Sequence, residues 1–164
     1  MRHNGYMSRA TFPSPAFPAY PALSMNKPEG WVELAAVGLP LAIAADVPAK
    51  QFRPNVLVTM TRHGVDHSME AAERDLASRL KRLTRFREES RVQDEAFGGQ
   101  RLTITGRFSS GRGEIIHQVV TVVVINRGYV YDVVEITGTC SAQSGENIRN
   151  DVVDIMKSLD IACE

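Results

Sequence analysis

The sequence predicts an α+β fold, a mostly antiparallel sheet flanked by two main helices. Several segments alternate apolar and polar residues, as strands do, and two segments repeat apolar residues at helical spacing. The later strands follow one another through short turns, which favours antiparallel pairing. A chain of 164 residues that is 43% hydrophobic and 23% charged is typical of one globular domain.

Residues 1–27 are rich in proline and alanine and carry three aromatic residues, Phe12, Phe17 and Tyr20. Proline fixes the backbone and removes hydrogen-bond donors, so we expect a flexible arm here and a single domain over residues 28–164. Two alternatives remain open: a loose tail, or an arm whose aromatic rings dock on an apolar surface. Met25 is a possible alternative start of the protein.

The first half of the domain predicts three strands and one helix. Residues 31–36 and 39–45 are short strands separated by Gly38 and Pro40, and residues 55–62 form a longer strand. The helix follows, with Asp66 or Ser68 as its N-terminal cap. Its apolar face repeats at three- and four-residue steps: Met69, Ala72, Leu76, Leu80 and Leu83.

The second half predicts strands and a closing helix. The polar residues 85–97 indicate an edge strand or hairpin arm, and residues 101–108 alternate cleanly, with Leu102 and Ile104 facing in and Thr103 and Thr105 facing out. Residues 113–138 form two long strands joined by a three-residue loop, Asn126 to Gly128. The last helix has Ser144 as its expected cap. Its apolar face comprises Ile148, Val152, Ile155, Met156 and Leu159.

The valine-rich strand before that loop is apolar on both of its sides. Val120 and Val122 point one way, while Val119, Val123 and Ile125 point the other. The second helix, a second copy of the chain, or the N-terminal arm or an apolar partner segment could cover the second side. These residues and their neighbours on the next strand are the candidate partner-binding site: Val119, Thr121, Val123, Ile125, Tyr129, Tyr131 and Val133.

Charge and hydropathy argue against several functions. Lys and Arg together equal Asp and Glu, at 19 each, so no overall field attracts nucleic acid. The basic residues clustered over residues 79–91 are interpreted as a solvated helix end, with a surface for an acidic partner protein as the alternative. No apolar stretch approaches the roughly 20 residues of a membrane span, and prolines interrupt any signal-like run, so we expect a cytoplasmic protein.

Catalytic and metal-binding patterns are weak. Cys140 and Cys163 are expected to be unpaired thiols, with a bridge between them as the alternative. His63 and His67 are four residues apart, but with a helix starting near residue 67 their rings should not share a face, so we expect a polar turn and no metal. His117 is interpreted as structural. Neither a nucleophile elbow nor a phosphate-binding loop occurs, so we expect no enzyme and no cofactor.

Several segments, in order, resemble the actinobacterial LpqN family over about residues 28–161. They are residues 28–31 (PEGW), 52–62, the helix with AAERDLASRL, residues 99–108, the valine-rich strand pair and the closing helix. The most specific is the strand entry Phe52-x-Pro54-Asn55. The family belongs with the DcrB-like proteins, in the fold of the photosystem protein PsbP and the Ran-binding Mog protein.

This resemblance implies an αβα sandwich and a binding or adaptor protein, since some DcrB-like relatives are dimeric chaperones that hold apolar helices of secreted effectors. The chain differs from lipoprotein members because no cysteine precedes Cys140. We therefore expect a non-enzymatic binding, adaptor or chaperone-like protein that holds an unknown protein, an apolar peptide or a second copy of itself. The alternative is a small-molecule-binding protein or enzyme with a pocket between sheet and helix.

Overall fold

The computed structural model describes residues 7–35 and 38–164, and it confirms the α+β sandwich. A seven-stranded antiparallel sheet carries one main helix on each face, and a second sheet has two strands. Residues 1–6 of the expected arm and Ala36 of the expected strand 31–36 lie outside the described residues.

The strand order of the large sheet is β2-β3-β4-β8-β7-β6-β5. Its strands are β2 (Trp31–Glu33), β3 (Leu41–Ala45), β4 (Asn55–His63), β5 (Arg87–Ala96), β6 (Gly99–Ser109), β7 (Ile115–Asn126) and β8 (Tyr131–Ser141). The small sheet pairs β1 (Ala22–Ser24) with β9 (Asp160–Ala162). The helices are α1 (Met69–Leu80) and α2 (Glu146–Lys157), and a short 3-10 helix (Ala142–Ser144) precedes α2.

Helix α1 buries its predicted apolar stripe on one face of the sheet. Of the two expected caps, Ser68 is the one used: its Oγ accepts a hydrogen bond from the Ala71 amide at 3.2 Å. The stripe packs on the even-numbered residues of β6 and β7 and on Val133 of β8. This α1-side core consists of Met69, Ala72, Leu76, Leu80, Leu102, Ile104, Val120, Val122, Val124 and Val133.

Helix α2 packs on the opposite face, chiefly against β8 and β4. Gly138 permits the close approach, since a Cβ there would lie 2.5 Å from Val152 Cγ1 and 2.6 Å from Met156 Sδ. The central residues of this α2-side core include Val56, Val58, Val123, Val134, Ile136, Val152, Ile155 and Met156.

The prediction that Ser144 caps α2 is wrong. Ser144 ends the short 3-10 helix, and Gly145, at φ 86°, occupies the cap position without a side-chain hydrogen bond. Ser141 instead caps the 3-10 helix, since its Oγ accepts from the Gln143 amide at 3.1 Å. Because this 3-10 turn precedes α2, Ser144 lies one residue before the capping position.

The predicted three-residue loop between β7 and β8 is also wrong. Asn126 still belongs to β7 and pairs with Tyr131, so four residues, 127–130, connect the strands. Arg127 donates its amide to the Val130 carbonyl at 2.8 Å, and Gly128 takes the left-handed backbone, at φ 93°. Because side chains alternate along a strand, this change of register reverses the side on which each β8 residue lies.

Part of the expected N-terminal arm is attached to the domain through β1. The Asn26 amide donates to Ser158 Oγ at 2.8 Å, and Leu23 and Met25 pack against the α2-side core. Arg62 Nη1 donates to the Pro18 carbonyl at 2.7 Å. The Arg62 guanidinium carbon also lies 4.1 Å from the centre of the Tyr20 ring.

The helices within the described ranges are all too short or too polar to cross a membrane.

Candidate binding groove

Helix α2 covers only part of its face of the sheet and leaves a groove over β5, β6 and the outer side of β7. The groove encloses about 400 Å³ and is called the α2-side groove below. Its floor is formed by outward-facing residues of these three strands: Val92, Thr103, Thr105, Val119 and Thr121, with Phe97 at one end. That volume lies in the range of ligand-binding clefts, roughly 300–1,000 Å³.

The floor follows from the alternation of β6 and β7. Leu102 and Ile104 of β6 point into the α1-side core, so Thr103 and Thr105 point into the groove. The Oγ atoms of Thr103 and Thr121 lie 3.0 Å apart and hydrogen-bond across the two strands. Val92 of the edge strand β5 remains 54% exposed. The floor therefore combines valine and threonine side chains, and the hydroxyls of Thr103 and Thr121 are hydrogen-bonded to each other.

One wall of the groove is a flank of α2. Arg149, Val153 and Lys157 recur at four-residue steps, which places them in one row along the helix, and all three line the groove. The row reads cation, apolar residue, cation. It offers an apolar contact at its centre and a positive charge near each end.

Carboxylates on β5 neutralise the groove rim unevenly. Near Phe97, Arg101 donates two hydrogen bonds to Asp94, at 2.8 and 2.6 Å, and this pairing raises the pKa of Arg101. At the other end, Arg107 Nε lies 3.6 Å and Arg149 Nη2 lies 4.0 Å from the same carboxylate, Glu89. Arg107 and Arg149 therefore share the Glu89 carboxylate at that end.

His117 and Cys140 are cross-strand neighbours that line the same end of the groove. Burial, followed by the charge of Arg149, lowers the pKa of His117, and its Nδ1 is buried with no hydrogen-bond partner among the described residues. Burial raises the pKa of the Cys140 thiol. Both groups therefore favour their neutral forms.

The structure divides the predicted partner-binding residues among three places. Val119, Thr121 and Val123 line the groove, and Ile125 is buried in the α2-side core. Tyr131 packs against the α1-side core and Val133 is buried within it. Tyr129 lies in the connecting turn and is 64% exposed.

Grouping Tyr131 and Val133 with Val119 on one face was wrong, because the longer loop shifts β8 by an odd number of residues. The observed pairs are Val124 with Val133 and Asn126 with Tyr131. Of the covers considered for the second face, α2 covers its inner part, since Val123 is 1% exposed. Val119 remains half-buried.

Sequence reasoning missed the contribution of β5, β6 and α2 to the groove. Thr103 and Thr105 were assigned to a solvent-facing side, and Val153 falls outside the predicted helix stripe. The available signal was geometric: seven strands span roughly 29 Å, more than a single helix of about 10–12 Å can cover. Part of a sheet face that carries a single helix therefore remains uncovered.

A smaller cavity of about 220 Å³ lies beside α1 and contains His63 and His67. The expectation that these rings do not share a face was wrong, because α1 begins at Met69 and the preceding turn stacks them, with centroids 3.8 Å apart. Thr61 Oγ1 lies 2.9 Å from His63 Nε2. Within residues 7–35 and 38–164, no group of three or more His, Cys, Asp or Glu residues is arranged to hold a metal. Cys140 is buried and Cys163 exposed, and both are free thiols.

Comparison with solved structures identifies the architecture. LpqN of Mycobacterium tuberculosis, a protein involved in cell envelope biogenesis, is 17% identical, with a TM-score of 0.73 over 88% of this chain and 86% of that one. Cyanobacterial PsbP from Synechocystis sp. PCC 6803 is 12% identical, with a TM-score of 0.58 over 96% of this chain and 99% of its own. The Ran-binding protein Mog1p of Saccharomyces cerevisiae is 11% identical, with a TM-score of 0.53 over 85% and 89%.

No protein-family model matches the chain. No curated protein matches it in sequence. At these identities the similarity concerns the fold, and the chain has the fold shared by LpqN, PsbP and Mog1p.

Proposed function

We propose that the chain is a non-enzymatic binding protein that holds an apolar segment of a partner protein in the α2-side groove. The observation that carries the proposal is the uncovered part of the α2 face, with Val92, Val119 and Val153 around an accessible cleft. Burying such side chains against a partner is favourable by roughly 25 cal/mol per Å². An adaptor or chaperone-like role follows, and a cytoplasmic location is retained as part of the proposal.

Two similar structures support a binding role by analogy. One is Ran-binding, so this fold serves protein recognition in at least one relative. The other takes part in cell envelope biogenesis. Proteins of one fold differ in function, so the proposed binding role is tested at the residues of the groove.

The chemistry of the groove favours binding over catalysis. Arg101 is ion-paired with Asp94, and the Arg149 guanidinium lies 4.0 Å from the Glu89 carboxylate. Nucleophilic catalysis through Cys140 would require an activated thiolate. Burial raises the pKa of this thiol, and His117 Nδ1 makes no hydrogen bond within the described part of the chain.

A small apolar molecule is the second candidate occupant. The enclosed volume of about 400 Å³ suits one, and it lies between sheet and helix. A second copy of the chain is the third candidate occupant, in which case the groove would be a dimer interface.

The test uses a matched pair of exposed valines. Val92 lies in the groove and is 54% exposed, whereas Val65 lies in the loop before α1 and is 60% exposed. Segments selected from a displayed library of random 20-residue peptides are measured against the whole chain by fluorescence anisotropy. We expect V92D and V92R each to weaken binding by at least about tenfold, because either charge would be buried without a partner, while V65D leaves binding unchanged.

Light scattering on the same samples identifies the other occupants. If V92D converts a dimer to a monomer and no peptide competes, the groove is a self-association surface. If a small apolar dye binds in a V92D-sensitive way while no peptide does, the groove is a small-molecule site. Peptides that bind V92D and the unsubstituted chain equally would contradict the proposal.

A further inference from the structure

We infer that a polar cleft at the end of the sheet opposite the β7–β8 turn is a binding site for a small organic phosphate. This site is separate from the α2-side groove, and it does not depend on the binding role proposed for that groove. Three observations carry the inference: the shape of the cleft, two cations in it that have no ion partner, and an aromatic ring beside them.

Three loops converge at this end of the sheet and enclose the cleft, which is called the loop cleft below. They are residues 46–54 between β3 and β4, residues 110–114 between β6 and β7, and the 3-10 helix after β8. The pairing of Ile116 with Ser141 brings the last two together. The cleft encloses about 520 Å³, within the range of small-molecule sites, roughly 300–1,000 Å³. Because its residues come from three loops, no contiguous motif marks it in the sequence.

Two exposed cations line the loop cleft, Lys50 from the first loop and Arg112 from the second. Neither forms an ion pair with any described residue. The carboxylate of Glu114 also lines the cleft, but it accepts a hydrogen bond from the hydroxyl of Ser141, which is only 4% exposed. Asp46, in the first loop, lies outside the lining. Both cations therefore remain available to an incoming anion.

The donors of the loop cleft match a phosphate better than a carboxylate. The side-chain amides of Gln51 and Gln143 and the hydroxyl of Ser144 add neutral donors to the two cations. A carboxylate presents two oxygens and one charge, whereas a phosphate monoester presents three acceptor oxygens and a charge of about −1.5 to −2 at pH 7. Hydrogen bonds to such an anion are about twice as strong as those between neutral groups.

The half-buried ring of Phe52 lines the same cleft. An inorganic phosphate ion would leave most of the enclosed space empty and would gain little from contact with an aromatic ring. The ring favours an apolar group, which gains free energy when it is removed from water. The ligand class is therefore a phosphate attached to a ring or chain that packs on Phe52.

The turn after α1 adds positive charge at this end of the sheet. Its exposed basic residues form no ion pairs within the described ranges: Lys81, Arg82, Arg85 and Arg87. The Ser109 amide donates to the Thr84 carbonyl at 2.9 Å and so joins this turn to the strand before the second loop. Nearby carboxylates offset the charge only in part, because Glu88 and Glu89 pair with other arginines and Glu146 lines a separate cavity. The remaining positive field attracts anions toward the cleft.

The test uses phenyl phosphate as the probe for the whole chain, with binding followed by amide chemical shifts in two-dimensional NMR. The amides of Gly113 and Gln143 should shift. K50Q and R112Q should each weaken binding at least about tenfold, because each removes a charge-assisted hydrogen bond. R74Q, at an exposed arginine on α1, is the matched control and should leave binding unchanged.

Two further comparisons define the ligand class. Phenyl phosphate should bind more tightly than inorganic phosphate or benzoate, and F52A should remove its advantage over inorganic phosphate. F52L serves as the milder variant if F52A fails to fold. Binding should strengthen as the pH rises through the second pKa of the phosphate, about 6.

Three results would overturn the inference: equal weakening by R74Q and R112Q, benzoate binding as tight as that of phenyl phosphate, or shifts confined to residues outside the three loops. V92D distinguishes this site from the α2-side groove, because Val92 lies in the groove and outside the loop cleft. V92D should bind phenyl phosphate like the unsubstituted chain. A loss of binding in V92D would place the probe in the groove and would contradict a separate site.

Discussion

Asp132 is fully buried and accepts two hydrogen bonds from Arg62, Nε to Oδ1 at 2.6 Å and Nη2 to Oδ2 at 2.8 Å. Arg127, from the turn before β8, donates a third at 2.8 Å. This cluster joins β4, β8 and their turn, and through Arg62 it also holds the N-terminal segment at Pro18.

Replacing Asp132 by alanine should destabilise the protein by about 3–5 kcal/mol, because two buried guanidinium groups would lose their anion. Urea denaturation monitored by circular dichroism measures the change. D94A, which breaks the partly exposed pair with Arg101, is the control and should have a far smaller effect. Equal losses in both variants would show that burial of the Asp132 cluster is unimportant.

Tyr20 should contribute to the attachment of the N-terminal segment through its contact with the Arg62 guanidinium. An exposed cation–π contact is worth about 0.5–1 kcal/mol, so Y20A should increase hydrogen exchange in β1 and β9 with little change in global stability. F17A, at a similarly exposed aromatic residue, is the matched control. If both variants exchange alike, the Tyr20–Arg62 contact does not hold the strand.

Gly138 sets the distance between α2 and the sheet. G138A should cost about 1–3 kcal/mol, since the added methyl group would overlap Val152 and Met156. The same substitution in a V152A background should cost less, which a double-mutant cycle measures by thermal unfolding. G111A, where nothing lies within 4 Å of an added Cβ, is the control. Identical costs in both backgrounds would place the strain elsewhere.

His67 should titrate below its ordinary pKa of 6.5, because burial and then the neighbouring His63 disfavour its charged form. The unfolded chain therefore binds more protons than the folded one between the lowered pKa and 6.5, and Asp75 opposes the shift only in part. The stabilisation from this group is complete above pH 6.5 and declines as the pH falls toward the lowered pKa.

Proton NMR of the histidine rings tests this directly. H63N should raise the pKa of His67 only part of the way to 6.5, since burial is the larger cause. A His67 pKa at or above 6.5 in the unsubstituted chain would contradict the stacked arrangement.

The two thiols should differ strongly in reactivity. Cys163 is exposed, whereas Cys140 is buried and its pKa is raised by that burial. A thiol reagent such as dithionitrobenzoate should modify one cysteine per native chain quickly and the second only after denaturation. C163S should abolish the fast phase, and its survival in C163S would show that Cys140 is accessible.

The periodicity of apolar residues predicted the architecture, because a helix or strand that is buried on one side has apolar residues at a regular spacing in its sequence. The stripe from Met69 to Leu80 and the alternation through Leu102 and Ile104 correspond to the α1-side core. The polar composition of residues 85–97 likewise identified β5 as an edge strand.

The site was harder to predict because it depends on register and on what two helices leave uncovered. The loop is one residue longer than predicted and starts one residue later, so the register of β8 changes by an odd number of residues and Tyr131 and Val133 lie on the opposite face. No local pattern distinguished the two loop lengths. Thr103 and Thr105 have the polarity of a solvent-facing row, yet they form a groove floor because α2 lies over β8 and β4. The role of such positions can be assigned only when the tertiary arrangement is known.

The charged edge strand also affects how the protein opens locally. The residues of β5 belong to neither described core, and all but Ala96 are exposed. Native-state hydrogen exchange should therefore show β5 opening at a lower free energy than β7 and β8, which are buried on both sides. The outer boundary of the groove is then its least stable element, so we expect bulkier occupants to be accommodated by local displacement of β5 while β7, β8 and α2 stay in place.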